Sequence, residues 1–123
     1  MKNYENYALG KWITGEGEGT PLFNAINGEE LGRASSQGLD FDQMMSYARK
    51  IGGSSLRKMT FQERGLMLKK LALHLHSIKG KFYKLSAATG ATKIDSWIDI
   101  EGGIGNLFTN ASLRRQFPDL PYH

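Results

Sequence analysis

Glu101 is the side chain whose sequence position most suggests chemistry. On a helical wheel it falls about 40° from Trp97, inside an arc of apolar residues that also holds Phe108 and Ile94. A carboxylate in such an arc needs hydrogen bonds or a cation, because burial otherwise favours its protonated form. We therefore expect either a buried ion pair with a helix-borne arginine such as Arg64, or a polar contact that faces a ligand channel.

Three glycines follow this carboxylate, at Gly102, Gly103 and Gly105. Each lowers helix stability by about 1 kcal/mol relative to alanine, so some feature must offset a total of roughly 3 kcal/mol. Either another backbone packs closely against the glycines, or a ligand passes where side chains would otherwise project. The residue pattern favours close packing and leaves a ligand passage as the alternative.

A basic block is the next candidate for binding chemistry. Residues 49–84 carry ten lysines and arginines, among them Lys69 and Lys70, against the single acid Glu63. Such a block can meet an anionic cofactor or an acidic surface, or simply face water. Nucleic acid is disfavoured, because aromatic residues are not interleaved for base stacking. His74 and His76 lie on different helix faces, so no metal site is predicted.

The composition narrows the chemistry further. The 123 residues include no cysteine, which excludes disulfides, thiolate metal sites and a cysteine nucleophile within this sequence. No apolar segment follows the start of the chain, and no run is apolar enough to span a bilayer. We expect a soluble, cytoplasmic protein without membrane contact.

Short strands and capped helices are predicted to position these residues. Residues 4–13 indicate two strands around Leu9-Gly10, and residues 22–26 and 31–35 indicate a second pair joined by Asn27-Gly28, so that a small antiparallel sheet results. Three pairs have the spacing of helix N-caps: Asp40 with Gln43, Thr60 with Glu63, and Thr92 with Asp95.

The three helices that follow these caps differ in their expected ends and surfaces. The first is expected to end at Gly52-Gly53, and the second to kink or divide near Gly80. Leu66 and Leu73 lie about 140–160° from Leu68 on the second helix, which makes this helix apolar on two sides. Because such a helix is normally sandwiched, we expect it to pack on more polypeptide or on another subunit.

The predicted fold class is α+β and mostly helical, with short antiparallel strands at the N-terminus followed by three to four helices. Residues 1–123 are expected to form a single unit. Within it we expect a strand region over residues 1–36, a helical region over residues 39–115, and an extended tail over residues 116–123.

Three sequence runs resemble a known family. TFQERGLMLKKLA (residues 60–72) and SAATGAT (residues 86–92) are similar to the N-terminal portion of aldehyde dehydrogenases. DSWIDIEGGIG (residues 95–105) most resembles the ring-opening members of that superfamily from phenylacetate degradation, which also carry an enoyl-CoA-hydratase-like domain. The resemblance implies an incomplete aldehyde dehydrogenase-like fold.

The resemblance also implies a function for the complete protein. Its hydratase-like domain would open an oxepin-CoA ring, and its dehydrogenase domain would oxidise the resulting CoA-linked aldehyde to an acid with NADP. The family's cysteine nucleophile, general-base glutamate and nicotinamide-binding fold lie beyond the residues present. We therefore expect no catalytic residue, no bound cofactor and no activity in this chain alone. The expected partners are the remaining dehydrogenase polypeptide or other subunits, in a homo-oligomer.

Two sets of site residues follow from the same resemblance. The helix matching Asp95 to Ala111 would border the substrate tunnel, which makes tunnel candidates of Glu101, Gly102, Gly103, Gly105 and Phe108. Lys69 and Lys70 are candidates for contact with the phosphates of CoA. The alternative function is a stand-alone, non-catalytic binding or oligomerisation module derived from the same fold.

Overall fold

The computed structural model describes residues 2–121 of the chain. Short N-terminal strands are followed by helices, so the predicted α+β, mostly helical fold class is confirmed. The chain consists of two compact units, one that ends at Ser54 and one that begins at Ser55.

The first unit contains a four-stranded mixed sheet in the order β2-β1-β4-β3. Its strands are β1 (Asn3–Ala8), β2 (Lys11–Thr14), β3 (Thr20–Phe23) and β4 (Glu30–Ala34). Both predicted hairpins are present, β1 with β2 and β3 with β4. Leu9 and Gly10 join the first pair with φ angles of 55° and 80°, because a two-residue type I′ turn requires positive φ at both positions.

The two hairpins meet through a parallel pair rather than an antiparallel one. Asn3 of β1 lies opposite Arg33 of β4, and Tyr4 lies opposite Ala34. The expectation of a wholly antiparallel sheet was therefore wrong. Turn residues determine the pairing inside each hairpin, whereas the pairing between hairpins joins residues far apart in the sequence and has no local signal.

The first helix, α1 (Phe41–Tyr47), begins as predicted, because the Asp40 carboxylate accepts the Gln43 N–H at 2.8 Å. It does not end at the glycine pair. The backbone continues as a π-helical segment, Ala48–Gly53, and then as α2 (Ser54–Arg57). Glycine lowers helix stability without forbidding helical dihedral angles, so the predicted stop at Gly52-Gly53 was wrong.

The second unit is built on two long helices, α3 (Phe61–Ala88) and α4 (Lys93–Ser112). Thr60 and Thr92 begin them with reciprocal capping boxes to Glu63 and Asp95, as predicted. Gly80 does not divide α3, which is continuous over 28 residues. A single glycine costs about 1 kcal/mol there, which is too little to break a long helix.

The two helices form an antiparallel hairpin. Ser86 and Ser96 hydroxyls lie 2.8 Å apart near the connection, and the Gln62 amide donates to the Arg114 carbonyl oxygen at 2.7 Å at the other end. Small side chains form the buried centre: Ala72 is 0% and Ala111 1% exposed. The hairpin register therefore places the first half of α4 beside the second half of α3.

The chain after α4 folds back on the start of α3. A short 3-10 helix, Leu113–Gln116, leads to Phe117, whose ring stacks on Phe61 with centroids 4.7 Å apart. The Phe61 N–H donates to the Leu120 carbonyl oxygen at 3.0 Å. The predicted tail is thus packed as far as Pro121, and its last two positions lie outside the described residues.

Candidate functional site on the α3–α4 hairpin

An apolar groove runs along one side of the α3–α4 hairpin. It encloses about 620 Å³. Gly103 lies in its wall, beside a predominantly apolar lining formed by Leu75, Phe82, Leu85, Ile100, Ile104 and Leu107. The polar lining is contributed by Ser86, Thr89 and Asp99. An apolar concavity with a few polar groups is the usual form of a small-molecule site.

The structure does not bring all tunnel candidates into this groove. Of the glycines in α4, only Gly103 is in its lining, while Gly102 and Gly105 lie elsewhere on the helix surface. No described atom outside the local helix backbone lies within 4 Å of a Cβ built at any of the three. Packing against the described part of this chain therefore does not explain them, and a ligand or a further surface stays as the explanation.

Glu101 lies away from the groove in a small polar cluster. Its Oε1 accepts from Lys79 Nζ at 2.6 Å and from the Tyr83 hydroxyl at 3.3 Å. The lysine also lies 3.2 Å from His76 Nε2. The side chains of Lys79 and Glu101 are 34% and 23% exposed, so this ion pair is partly solvated. Phe108, the remaining tunnel candidate, is half-buried.

The predicted ion pair between Glu101 and Arg64 was wrong. The Arg64 guanidinium instead donates to the Pro121 carbonyl oxygen at 3.1 Å and lies over the Phe61 ring at 4.6 Å. The antiparallel arrangement is the physical reason. Arg64 is in the first turn of α3, beside the end of α4, whereas Glu101 lies in the first half of α4.

The cluster shifts the acidity of two of its members. The hydrogen bond from Lys79 holds the pKa of Glu101 below its usual value, against a smaller opposing effect of desolvation. Partial burial, followed by the negative charge of Glu101, raises the pKa of Tyr83. Around neutral pH the Glu101 side chain is thus an ionised carboxylate, which accepts a hydrogen bond from Lys79. The Tyr83 hydroxyl is un-ionised and also donates to it.

The other candidates lie on exposed surface. Lys69 and Lys70 are exposed on the first half of α3, and neither lines the groove. His74 and His76 are also exposed. Within residues 2–121, no group of three or more histidines and carboxylates is arranged to hold a metal ion. None of the helices in that range is long and apolar enough to cross a membrane.

No model of a protein family matches the sequence. The chain is 37% identical over 100 residues to the 3,4-dehydroadipyl-CoA semialdehyde dehydrogenase of Aromatoleum evansii. The match covers 80% of this chain and 19% of the relative. It links the chain to an aldehyde dehydrogenase-type protein.

This link confirms the predicted resemblance at its coarser level. The chain is a distant partial homologue of an enzyme about five times as long as the matched segment, since that segment is 19% of it. The ring-opening subfamily of phenylacetate degradation is a finer assignment and stays a prediction.

Three residues of structural importance were missed from the sequence. Lys79 and Tyr83 are four apart, so they share one face of α3 and both reach Glu101. Their spacing could have signalled them once an antiparallel hairpin was assumed. The third is Gly65, where a Cβ would lie 2.7 Å from Arg114 Cβ, so that no side chain fits. It was missed because a lone glycine in a helix has no sequence signature for close packing.

We predict that Lys79→Met raises the pKa of Glu101 towards its ordinary value, because the variant loses the hydrogen bond and charge that lower it. The carboxyl ¹³C resonance of Glu101, followed by NMR over an acid titration, measures this. The pKa is lower in the folded than in the unfolded chain. The stabilisation of the folded chain by the Lys79–Glu101 ion pair is therefore complete above the pKa that Glu101 has in the unfolded chain. It is lost as the pH falls through the pKa that Glu101 has in the folded chain.

Lys81→Met is the matched control, since Lys81 is exposed on the same helix. Equal titration curves for Glu101 in the wild type and in Lys79→Met would show that the ion pair does not determine its acidity.

Proposed function

We propose that this chain is the N-terminal part of an aldehyde dehydrogenase that oxidises a CoA-linked aldehyde in the degradation of aromatic compounds. The observation that supports it is the 37% identity over 100 residues to a dehydroadipyl-CoA semialdehyde dehydrogenase. The finer proposal is the ring-opening enzyme of phenylacetate catabolism, on the basis of the DSWIDIEGGIG run at residues 95–105. Its dehydrogenase reaction converts the aldehyde and a water molecule to an acid, passes a hydride to NADP⁺ and releases a proton.

We propose that no dinucleotide binds at the N-termini of α3 and α4. Phosphates usually bind at a helix N-terminus that follows a glycine-rich turn. In α3 and α4 that position is taken by the chain's own carboxylates, Glu63 and Asp95, which accept the threonine N–H groups. We propose that the nicotinamide cofactor and the nucleophilic thiol are supplied by polypeptide outside residues 1–123, since this sequence has no cysteine.

The proposed contribution of this chain is a wall of the substrate passage. Gly103 keeps one side of the groove free of a side chain, while Phe82, Ile100 and Leu107 make the rest of the lining apolar. An apolar, open wall suits the long acyl thioester of a CoA-linked substrate better than a tight pocket does. Glu101 lies outside this wall, bound to Lys79, and its assigned role is structural.

The test uses the complete polypeptide encoded by the gene, assayed by NADPH formation. We expect Gly103→Met to lower kcat/KM for the CoA-linked semialdehyde by at least roughly tenfold, because small misplacements of a bound substrate have large effects on rate. The value for a short aldehyde is expected to change much less. Gly102→Met is the control, since Gly102 is on the same helix and also faces open space but lies outside the groove.

The same assay tests the proposed phosphate contacts. Replacing Lys69 and Lys70 together with alanine should raise KM for the CoA-linked substrate, with a reduced dependence on salt, and leave KM for the short aldehyde unchanged. If Gly103→Met affects both substrates equally, α4 does not form a wall of the substrate passage. If the double lysine variant affects both substrates equally, Lys69 and Lys70 do not contact the CoA phosphates. Absence of NADP-dependent oxidation in the wild type would overturn the function itself.

The second candidate is a non-catalytic binding or oligomerisation module. The exposed apolar side chains of α3 and α4 favour it, because they provide surface for association. The reading frame distinguishes the two: continuation beyond His123 into a glycine-rich nucleotide-binding fold with a cysteine supports the enzyme, and a stop codon there supports the module.

A further inference from the structure

The side of the hairpin opposite the groove is also apolar and exposed. On the helical wheel of α3, Leu73 is rotated by about 100° from the buried Ala72 in one direction. Phe82, which lines the groove, is rotated by about 80° in the other direction. On α4, Ile98 and Gly103 are about 120° and 100° from the buried Ile104, again in opposite senses. We call the surface made by Leu66, Leu73, Ile94 and Ile98 the leucine flank. Its four side chains are 44%, 52%, 71% and 59% exposed.

The accessible surface of the chain is larger than its mass alone predicts. Its accessible surface is 9101 Å², whereas a compact protein of its mass of 13.7 kDa exposes about 6,600 Å². Two separate compact bodies of the same total mass would expose roughly 7,900 Å². The surplus of roughly 1,200–2,500 Å² is shared by both units, and it exceeds the roughly 800 Å² per partner that a standard protein interface covers. A single symmetric contact between two copies would leave part of it exposed.

Charge argues against self-association through the leucine flank. On the helical wheel, Lys69 and Lys84 project to the same side of α3 as Leu73, at about 60° and 120° from Ala72. Both are exposed. The ion pairs among residues 2–121 are Arg33 with Glu30 and Lys79 with Glu101, so neither flank lysine has a carboxylate partner there. A twofold contact would place this net positive surface against its own copy, which is unfavourable.

We propose that the leucine flank is the docking surface for a further segment of the same polypeptide, outside residues 1–123, with an apolar centre and carboxylates beside Lys84. The length of the relative is consistent with this occupant, because the matched segment is only 19% of that protein. Apolar contact then supplies most of the affinity, and the carboxylates set the orientation. The groove on the opposite side stays available to substrate.

Carbene footprinting with mass spectrometry tests the proposal on two proteins, the 123-residue chain and the complete polypeptide encoded by its gene. We expect Leu66, Leu73 and Ile98 to be labelled in the chain alone, which should sediment as a monomer. In the complete polypeptide their labelling should fall at least severalfold. Lys84→Glu should partly restore it, whereas Lys81→Glu, on the far side of α3 at about 180° from Ala72, should not.

Three outcomes would overturn the proposal. The flank could stay fully labelled in the complete polypeptide, including the case in which the gene encodes only these 123 residues. It could be protected already in the chain alone by a dimer, which would make a second copy the occupant. Finally, Lys84→Glu and Lys81→Glu could have equal effects on labelling, which would show that no carboxylate of the docked segment lies beside Lys84. Labelling is independent of turnover, so a protected flank in an inactive protein would leave this proposal standing without the dehydrogenase function.

Discussion

Replacing Gly102, Gly103 and Gly105 together with alanine is expected to raise the free energy of unfolding of the 123-residue chain by up to about 3 kcal/mol. All three glycines lie inside α4. None of them has a positive φ, and a Cβ on each meets open space within the described residues. The gain comes from the lower conformational entropy of alanine in the unfolded chain and from its higher helix propensity.

Urea unfolding followed by circular dichroism measures this change as a higher midpoint at an unchanged slope. The three single variants should contribute about 1 kcal/mol each. A loss of stability in the triple variant would mean that the glycines are packed against this chain after all. In the complete polypeptide, the same substitutions are expected to reduce turnover of the CoA-linked substrate, as is common where a functional surface is not optimised for stability.

Gly65→Leu is expected to lower the free energy of unfolding by about 3 kcal/mol, the opposite of the change in α4. A Cβ at Gly65 would lie 2.7 Å from Arg114 Cβ and 3.0 Å from the Ala111 carbonyl oxygen. The oxygen is a backbone atom of α4, and the Arg114 Cβ is attached directly to the backbone of the 3-10 helix that follows. Neither atom can move aside as the tip of a flexible side chain can. The helices must separate to admit the new side chain.

Gly65→Ala covers the case in which the leucine variant does not fold. Its steric strain should outweigh the propensity gain and leave a net loss of about 1 kcal/mol. Gly80→Ala is the matched control in the same helix, because its Cβ meets nothing within 4 Å and it should stabilise by up to about 1 kcal/mol. If both alanine variants stabilise α3 equally, the close approach at Gly65 has no energetic consequence.

The two sets of glycines show how poorly sequence alone identifies a packing glycine. The conspicuous cluster in α4 faces open space, whereas the inconspicuous Gly65 fills a position where no side chain fits. Both sets interrupt good helix patterns and have the same intrinsic penalty. Only the position of the neighbouring helix distinguishes them. The cluster therefore has no packing function inside this chain, which is why we assign its Gly103 to the proposed passage.

The polar cluster of Glu101 illustrates the same limit. The sequence predicted that this carboxylate needs hydrogen bonds or a cation, and in the structure Lys79 and Tyr83 both donate to it. The sequence did not show which cation, since Arg64 and Lys79 both lie on α3 and both are compatible with a helical wheel. The hairpin register selects Lys79, which donates to Glu101 at 2.6 Å.

Features that depend on neighbouring residues could be predicted from the sequence: the Leu9-Gly10 turn of the first strand hairpin, and the caps at Thr60 and Thr92 that begin the two long helices. The second hairpin turns through residues 24–29 rather than through the tight turn predicted at Asn27-Gly28. The tertiary structure decided the features that depend on distant residues, namely the parallel pairing of β1 with β4, the cation that binds Glu101, and the glycine that allows α3 and α4 to meet. The physical reason is range. Hydrogen bonds of turns and caps close within a few residues, whereas register and close approach are fixed only when whole elements pack.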